Sequence, residues 1–299
     1  MRIDPNVVPE ILSDLQQSQV SLNTALQQVS TGKSVSVPSD NPAAAAEMVQ
    51  NTIETGDVDQ YTQNVSTVQT TVQSASSALS SVVTSLTQAV SLGTEGANGT
   101  NSPADLQALA KQVQGILASV VSLANSSVGG SYLFSGTGTT TPYTADPSSP
   151  TGYAYNGNND TNSVQVGDQT SVQVNLPGSQ VFSSSTNNVL GSLNSLVTAL
   201  QSGNSAQIAT ATASVDSAIN FVGQQQVFYG NTEDQLNSQE KYLQQDTVTL
   251  ASQENNLVGV DMATAATNLS QAETDNSAAL AAAAKVLPTT LLNYLSPPA

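Results

Sequence analysis

Long heptad-patterned stretches lie at both ends of this chain and bracket a Gly/Tyr/Asn-rich segment with almost no charge. Val58, Val65, Val72, Leu79 and Leu86 hold one heptad position, and Tyr61, Val68, Ala75, Val82 and Ala89 hold the other. Five consecutive heptads specify a helix that buries one stripe against partner helices. Beyond the middle, Ile208, Val215, Val222, Tyr229, Leu236, Leu243, Leu250 and Leu257 recur at sevens. Their companion positions decay from Ala211 and Ala218 into Gln239, Asp246 and Gln253, which suits a long helix in a bundle better than an isolated two-stranded coil. The expected fold is mainly α with a β insert. Its N- and C-terminal helices together form an elongated antiparallel bundle or coiled-coil rod, from which a small central β domain projects.

Turn chemistry sets the boundaries. Ile11, Leu15, Leu22, Leu26 and Val29 predict a first helix ending near Gly32. Asn41-Pro42 is an Asn cap followed by proline at the first helical position, so a second helix opens near Ala43. Ser102-Pro103-Ala104-Asp105 has the form of a capping box and starts a third helix, with Leu106, Val113 and Val120 against Leu109, Ile116 and Leu123. From Asn125 to Val189, Gly, Asn, Ser, Thr and Pro accumulate, and Asp146, Asp160 and Asp168 are the only charges. Val164-Gln165-Val166 and Val172 to Leu176 alternate about Gly167-Asp168, predicting a hairpin with one valine face buried. Helical spacing returns at Val189, Leu193, Leu196 and Leu200, breaks near Gly259, and a last segment runs from about Met262 to Leu295.

These helices need partners. Residues 58–90 hold twenty Ser, Thr or Val in 33 positions. Each is roughly 0.5 kcal/mol worse than Ala in a helix, an unfavourable sum of about 10 kcal/mol. Only burial of the seam in a bundle can offset that.

Composition excludes several function classes. Five bases, Arg2, Lys33, Lys111, Lys241 and Lys285, stand scattered against 22 acids, a net charge of −17. Phosphate backbones and anionic membranes both require clustered Lys and Arg, so neither nucleic acid nor membrane is an expected partner. Without Cys or His there is no disulfide, no thiol chemistry and no ordinary proton shuttle, and no cofactor or metal is expected. A Ser–Lys dyad through Ser30 and Lys33 is better read as a helix-terminal turn with Lys33 near the C-terminal dipole. The acid pairs Asp57/Asp59 and Glu233/Asp234 fit solvated helix faces. Asn156 to Asp160 lacks the glycine and the closing Glu of a calcium loop, since Thr161 and Gly167 stand there. Met1-Arg2-Ile3-Asp4-Pro5 does not read as a signal peptide, and the nearest approach to a membrane span, Ala278 to Ala284, stops at Lys285.

What remains is the pair of ends. Leu15, Leu22, Leu26 and Val29 make an apolar stripe on the first helix; Leu280, Leu287, Leu291, Leu292 and Leu295 make another on the last. Either the two close on each other, or they meet neighbouring subunits in a stacked assembly.

Ser30-Thr31-Gly32-Lys33, followed by Pro38-Ser39-Asp40-Asn41-Pro42, resembles a motif of the flagellin superfamily, and most of all its hook-associated protein 3 branch, the hook–filament junction proteins. Phe134-Ser135-Gly136 after Tyr132-Leu133, with Pro142-Tyr143, resembles that branch's approach to its β domain, and Leu291-Leu292-Asn293-Tyr294-Leu295 its terminal helix. Ser34-Val35-Ser36-Val37 departs from the branch's Arg-Ile-Asn-Ser, and Asn41 replaces an acid. The resemblance implies a structural, non-enzymatic protein of the extracellular flagellum, exported without a cleavable signal. It implies terminal segments 1–42 and 261–299 that order on assembly, a helical rod of 43–125 with 189–260, and an outer β domain of 126–188. Implied partners are the hook-side and filament-side axial proteins (a second junction protein and flagellin), further copies of the chain in a ring or helical layer, and an export chaperone. Bulk flagellin is the near alternative. A carbohydrate-binding or hydrolytic module, with Tyr132, Tyr143, Tyr153 and Tyr155 stacking on sugars, is the remote one.

Overall fold

The computed structural model describes residues 7–149, 151–185 and 187–295, with side chains placed for residues 9–285 of these. Seven helices and six short strands follow in order: α1 (Val7–Thr31), α2 (Pro42–Gly96), α3 (Pro103–Ala124), β1 (Ser127–Val128), β2 (Ser131–Tyr132), β3 (Tyr143–Ala145), β4 (Tyr153–Tyr155), β5 (Ser163–Gly167), β6 (Thr170–Gln173), α4 (Gly178–Val181), α5 (Val189–Ser202), α6 (Ser205–Val258) and α7 (Met262–Leu295). The expected fold class, long helices with a small β insert, is the observed one. The chain divides into two compact units, Asp57–Gln244 on one hand and Met1–Gly56 with Gln245–Ala299 on the other, and the divisions fall inside α2 and α6.

The unit 57–244 is a helical bundle whose core is the pair of heptad registers. Val58, Val65, Val72, Leu79 and Leu86 are buried, as are Val68, Ala75, Val82 and Ala89. Opposite them, Ile208, Val215, Val222, Tyr229, Leu236 and Leu243 are buried, one per heptad. Across this seam Gln69 Nε2 donates to Glu240 at 3.0 Å. α3 and α5 pack together and contribute Leu106, Leu109, Val113, Ile116, Val120, Leu190, Leu193, Leu196 and Leu200. The predicted capping box forms: Ser102 Oγ accepts from the Asp105 amide at 3.2 Å, and Asp105 accepts from the Ser102 amide at 3.1 Å. α5 is capped by Asn188, whose Oδ1 accepts from the Gly191 amide, and ends on Gly203 at φ +71°, the left-handed conformation that favours glycine.

The insert is more fragmented than a single hairpin. Three separate antiparallel pairs, β1–β2, β3–β4 and β5–β6, are joined by irregular chain and the one-turn helix α4, which alternation could not predict. The β5–β6 hairpin pairs Val164 with Val172 and buries Val166, Val172, Val174 and Leu176. It rests on α2, where Asn64 Nδ2 donates to the Gln165 carbonyl at 2.8 Å. From α6, Tyr229 presents its hydroxyl to the Leu176 amide at 3.2 Å.

In the unit formed by 1–56 and 245–299, α1 packs on α7. The C-terminus of α1 and the N-terminus of α7 meet at an antiparallel bridge between Lys33 and Gly259, so the two helices run antiparallel. Asn51 of α2 is buried and donates from Nδ2 to the Leu250 carbonyl of α6 at 3.0 Å.

Candidate assembly interface

The α1–α7 contact is a heptad seam on both sides. From α1 it takes Ile11, Leu15, Ser18, Leu22, Ala25 and Val29; from α7 it takes Ala265, Leu269, Ala272, Asn276, Ala279 and Ala283. The a/d spacing of a coiled coil is present, but five of the twelve positions are alanine and two are polar. Such a seam removes little apolar surface per layer, because a methyl group offers far less area than a leucine side chain.

The expected stripe residues separate on this frame. Leu15, Leu22 and Val29 lie half-buried in the seam. Leu26 is 46% exposed and points away from it, its place in the contact taken by Ala25. Leu280 is 49% exposed, between the seam positions Ala279 and Ala283. The side chains of Leu287, Leu291, Leu292 and Leu295 lie outside the described residues. With Leu12, Val20 and Met262, also exposed, Leu26 and Leu280 give the helix pair apolar edges that α1 and α7 do not cover for one another.

The turn between α1 and α2 explains its sequence. Gly32 adopts φ +69° and its amide bonds the Gln28 carbonyl, a left-handed helix cap that a Cβ would strain. The next residues are zipped to the α6–α7 junction. Ser34 N donates to the Val258 carbonyl at 2.6 Å, its Oγ reaches the same oxygen at 3.0 Å, and Val260 N donates to the Gly32 carbonyl at 3.0 Å. Lys33 Nζ pairs with Glu254 at 2.8 Å, and both side chains remain exposed. Ser30 is exposed, and Thr31 returns its hydroxyl to the Gln27 carbonyl. Past the clamp, Asp40 Oδ2 accepts from the Ser36 and Val37 amides at 3.0 Å each, folding Pro38-Ser39 into a tight turn. Those two backbone donors hold the Asp40 carboxyl below its ordinary value. Asn41 Oδ1 then accepts from the Ala44 amide at 3.2 Å with Pro42 opening α2, so the exchange of an acid for Asn keeps the cap.

Phe134-Ser135-Gly136 has a different task. Phe134 is fully buried, edge-on to Phe182 at 5.1 Å, and its carbonyl accepts from Gly178 N at 2.7 Å and from the Tyr155 hydroxyl at 3.0 Å. Ser135 Oγ donates to the Gly138 carbonyl at 2.5 Å. Gly136 sits at φ +73° against Asn158, where a Cβ would collide. This segment is the core of the β region rather than part of the terminal interface. Tyr143 joins it: the ring is buried and the hydroxyl donates to the Gly178 carbonyl at 2.7 Å. The Tyr143 and Tyr155 rings meet at a 45° tilt with centroids 5.2 Å apart, so this pair is spent on packing rather than aligned as an open sugar platform.

Sequence reasoning missed the clamp at 258–260, the buried Asn51 and the polar seam layer of Ser18 and Asn276. Regularity of spacing could not reveal the first two, because their partners lie roughly two hundred residues away along the chain. The third was legible, since Ser18 and Asn276 stand at heptad positions of their helices.

Paired helices drawn from the two ends of one chain, with a β region set between long internal helices, define a flagellin-type protein. Residues 8–139 match the bacterial flagellin N-terminal helical region and residues 212–295 the bacterial flagellin C-terminal helical region; the chain belongs to that family. Within it, the chain is similar to flagellar hook-associated protein 3 of Salmonella typhimurium, 30% identical over 196 residues that make up 64% of this chain and 59% of the relative. It therefore spans less than two thirds of that relative's length. Two solved structures share the fold. A provisionally assigned flagellar hook-associated protein of Vibrio parahaemolyticus superposes with a TM-score of 0.67 at 21% identity, over 74% of this chain and 100% of its own. Flagellar hook-associated protein 3 of Legionella pneumophila gives 0.64 at 16%, over 70% and 98%.

Proposed function

We propose that the chain is a structural subunit of the bacterial flagellum, of the hook-associated protein 3 type, joining hook to filament. The observation that carries this is the likeness to flagellar hook-associated protein 3 of Salmonella typhimurium, taken together with a helix pair built from both chain ends that leaves apolar edges uncovered. Its work is packing, not catalysis. Segments 1–42 and 261–299 serve as the assembly parts, 43–125 with 189–260 as the helical domain, and 126–188 as the outer β domain. Leu26 and Leu280 are the described side chains best placed to meet a neighbouring axial subunit, hook-side or filament-side, or another copy in the same layer. Leu15, Leu22 and Val29 serve by holding α1 on α7. Among the described residues no helix is long and apolar enough to cross a membrane, and the proposed location is the extracellular flagellum after export with a chaperone.

Immunogold electron microscopy on isolated flagella tests the reading. Label confined to the hook–filament boundary is expected; label along the whole filament would make the chain a flagellin. Leu26→Asp should abolish incorporation while leaving the α1–α7 pair formed, whereas Leu22→Asp should unpair the helices themselves. Normal incorporation of the Leu26→Asp chain would remove that residue from the interface.

A further inference from the structure

Half of the α1–α7 seam carries no information about register. Leu15, Leu22 and Val29 on α1 and Ala265, Ala272 and Ala279 on α7 are near-uniform repeats, and sliding one past the other by a heptad replaces like with like. The remaining three layers differ. Ser18 lies 15 residues before Lys33 and Asn276 lies 17 after Gly259, the two residues joined by the bridge where the helices meet. At about 1.5 Å of rise per residue they fall within about 3 Å of the same level. By the same count Ile11 comes level with Ala283, and Ala25 with Leu269. The register therefore sets large against small, polar against polar, and small against large.

A second observation points to the polar layer. Ser18 Oγ and Asn276 Oδ1 are the buried side-chain polar atoms without a hydrogen-bond partner among the described residues. One is a donor and the other an acceptor, so each is what the other lacks. We propose that Ser18 and Asn276, level with each other but not hydrogen-bonded in this structure, form a register-setting polar layer that pairs across the seam by a change of side-chain rotamer and fixes α1 on α7, with Ile11/Ala283 and Ala25/Leu269 as steric support. A slip of one heptad would place Ser18 beside Leu269 or Ala283 and Asn276 beside Ile11 or Ala25, where neither polar atom can be satisfied, and the buried polar mismatch disfavours that arrangement. The clamp at residues 32–34 and 258–260 demands the same register from one end, while the polar layer maintains it about 20–25 Å further along the pair. Register matters because a one-heptad slip would carry Leu12 and Leu26 about 10 Å along α7 relative to Leu280, and dissolve the edge they present together. Ser18 and Asn276 are thus positioning residues for that edge. The inference rests on the helix pair and not on the junction reading, so either can fail without the other.

The chain has no cysteine, which makes disulfide trapping in the full-length protein unambiguous. Leu22→Cys with Ala272→Cys reports the observed register; Leu22→Cys with Ala279→Cys reports a one-heptad slip. In the parent background the first pair should oxidise readily and the second hardly at all. Adding Ser18→Ala and Asn276→Ala, which remove the polar atoms without adding volume, should speed trapping of the slipped pair at least fivefold at unchanged helix content by circular dichroism. Hydrogen exchange of the α7 amides supplies the second measurement. Either single alanine should accelerate exchange about tenfold by stranding its partner, and the double substitution should return it to within about threefold of the parent. Unchanged trapping of the slipped pair, or single substitutions that each slow exchange and add independently, would overturn the proposal.

Discussion

Replacing Tyr229 with Phe isolates one oxygen atom on which the junction between the β region and α6 depends. The ring fills a position of the α6 seam, fully buried, edge-on to Phe228 at 5.2 Å. Its hydroxyl accepts the Leu176 amide at 3.2 Å where the chain leaves the β5–β6 hairpin. Phe keeps the ring, the rotamer and the packing, so no cavity of consequence is made. The change strands a buried backbone N–H, which costs about 1–3 kcal/mol, offset in part by the easier burial of a phenyl ring. A net loss of about 1–2 kcal/mol lowers the melting temperature of a unit this size by roughly 2–8 °C. Calorimetry on the full chain measures that, and hydrogen exchange should show the Leu176 amide losing protection before its neighbours. The phenol adds a pH test. Burial raises the Tyr229 and Tyr143 hydroxyls above their ordinary value of 10.0, so the folded state resists deprotonation longer than the unfolded one. The stability this carries is complete below pH 10 and falls as the pH rises above it, and Tyr229→Phe should blunt the alkaline loss. A variant with an unchanged melting temperature and a still-protected Leu176 amide would show that the hydroxyl is not a partner the fold needs.

Glycines give opposed expectations from one substitution. Gly115 has open space around it, so Gly115→Ala should stabilise the chain by up to about 1 kcal/mol; a Cβ on Gly96 would strike Leu200, so Gly96→Ala should destabilise it by about 1–3 kcal/mol despite the same gain in helix propensity, with both read from thermal melts. Asp105 and Asp261 have carboxyls held below the ordinary value of 3.8, the first chiefly by the Ser102 hydroxyl and the second chiefly by the Thr264 hydroxyl. Their stabilisation should be complete above that pH and disappear as the pH falls through the lowered value, and Asp105→Asn should remove part of the acid sensitivity in a pH series of melts. A peptide spanning Val58 to Leu92 should give a coil spectrum by circular dichroism, because its seam has nothing to bury against; a helical spectrum would contradict the propensity argument.

The seams of α2 and α6 were legible in the sequence because valine and leucine at sevens stand out from Ser, Thr and Gln. Nine of the ten α2 seam positions are buried, with Tyr61 half-buried, and the α6 register is buried from Ile208 to Leu250. The α7 seam was not legible by the same signal. Alanine fills its buried positions, Ala265, Ala272 and Ala283, as well as exposed ones such as Ala266 and Ala278, so the methyl groups carry no contrast. The eye falls instead on Leu280, which faces outward. The β region failed for another reason. Strands of two to five residues show little alternation, and the chain between them is held by amide side chains bonding backbone. Asn125, for example, donates to the Tyr143 carbonyl and accepts from its amide, both at 2.8 Å. Such bonds specify a fold without leaving a period in the sequence.

The contrast between the two seams also orders the energetics. Replacing buried Leu or Ile by Ala typically costs about 2–5 kcal/mol, so seams built of Leu and Val bind far more strongly per layer than seams built of Ala. The α6 register is of the first kind. The α1–α7 pair is mixed, since five of its twelve positions are alanine and two hold polar atoms that oppose burial. Its own closure is therefore weakly stabilised, while large side chains that would strengthen such a contact, Leu12, Val20, Leu26 and Leu280, lie on its outside. On the proposed reading, a neighbouring subunit's apolar surface would cover these side chains and add to a closure that the seam alone stabilises weakly.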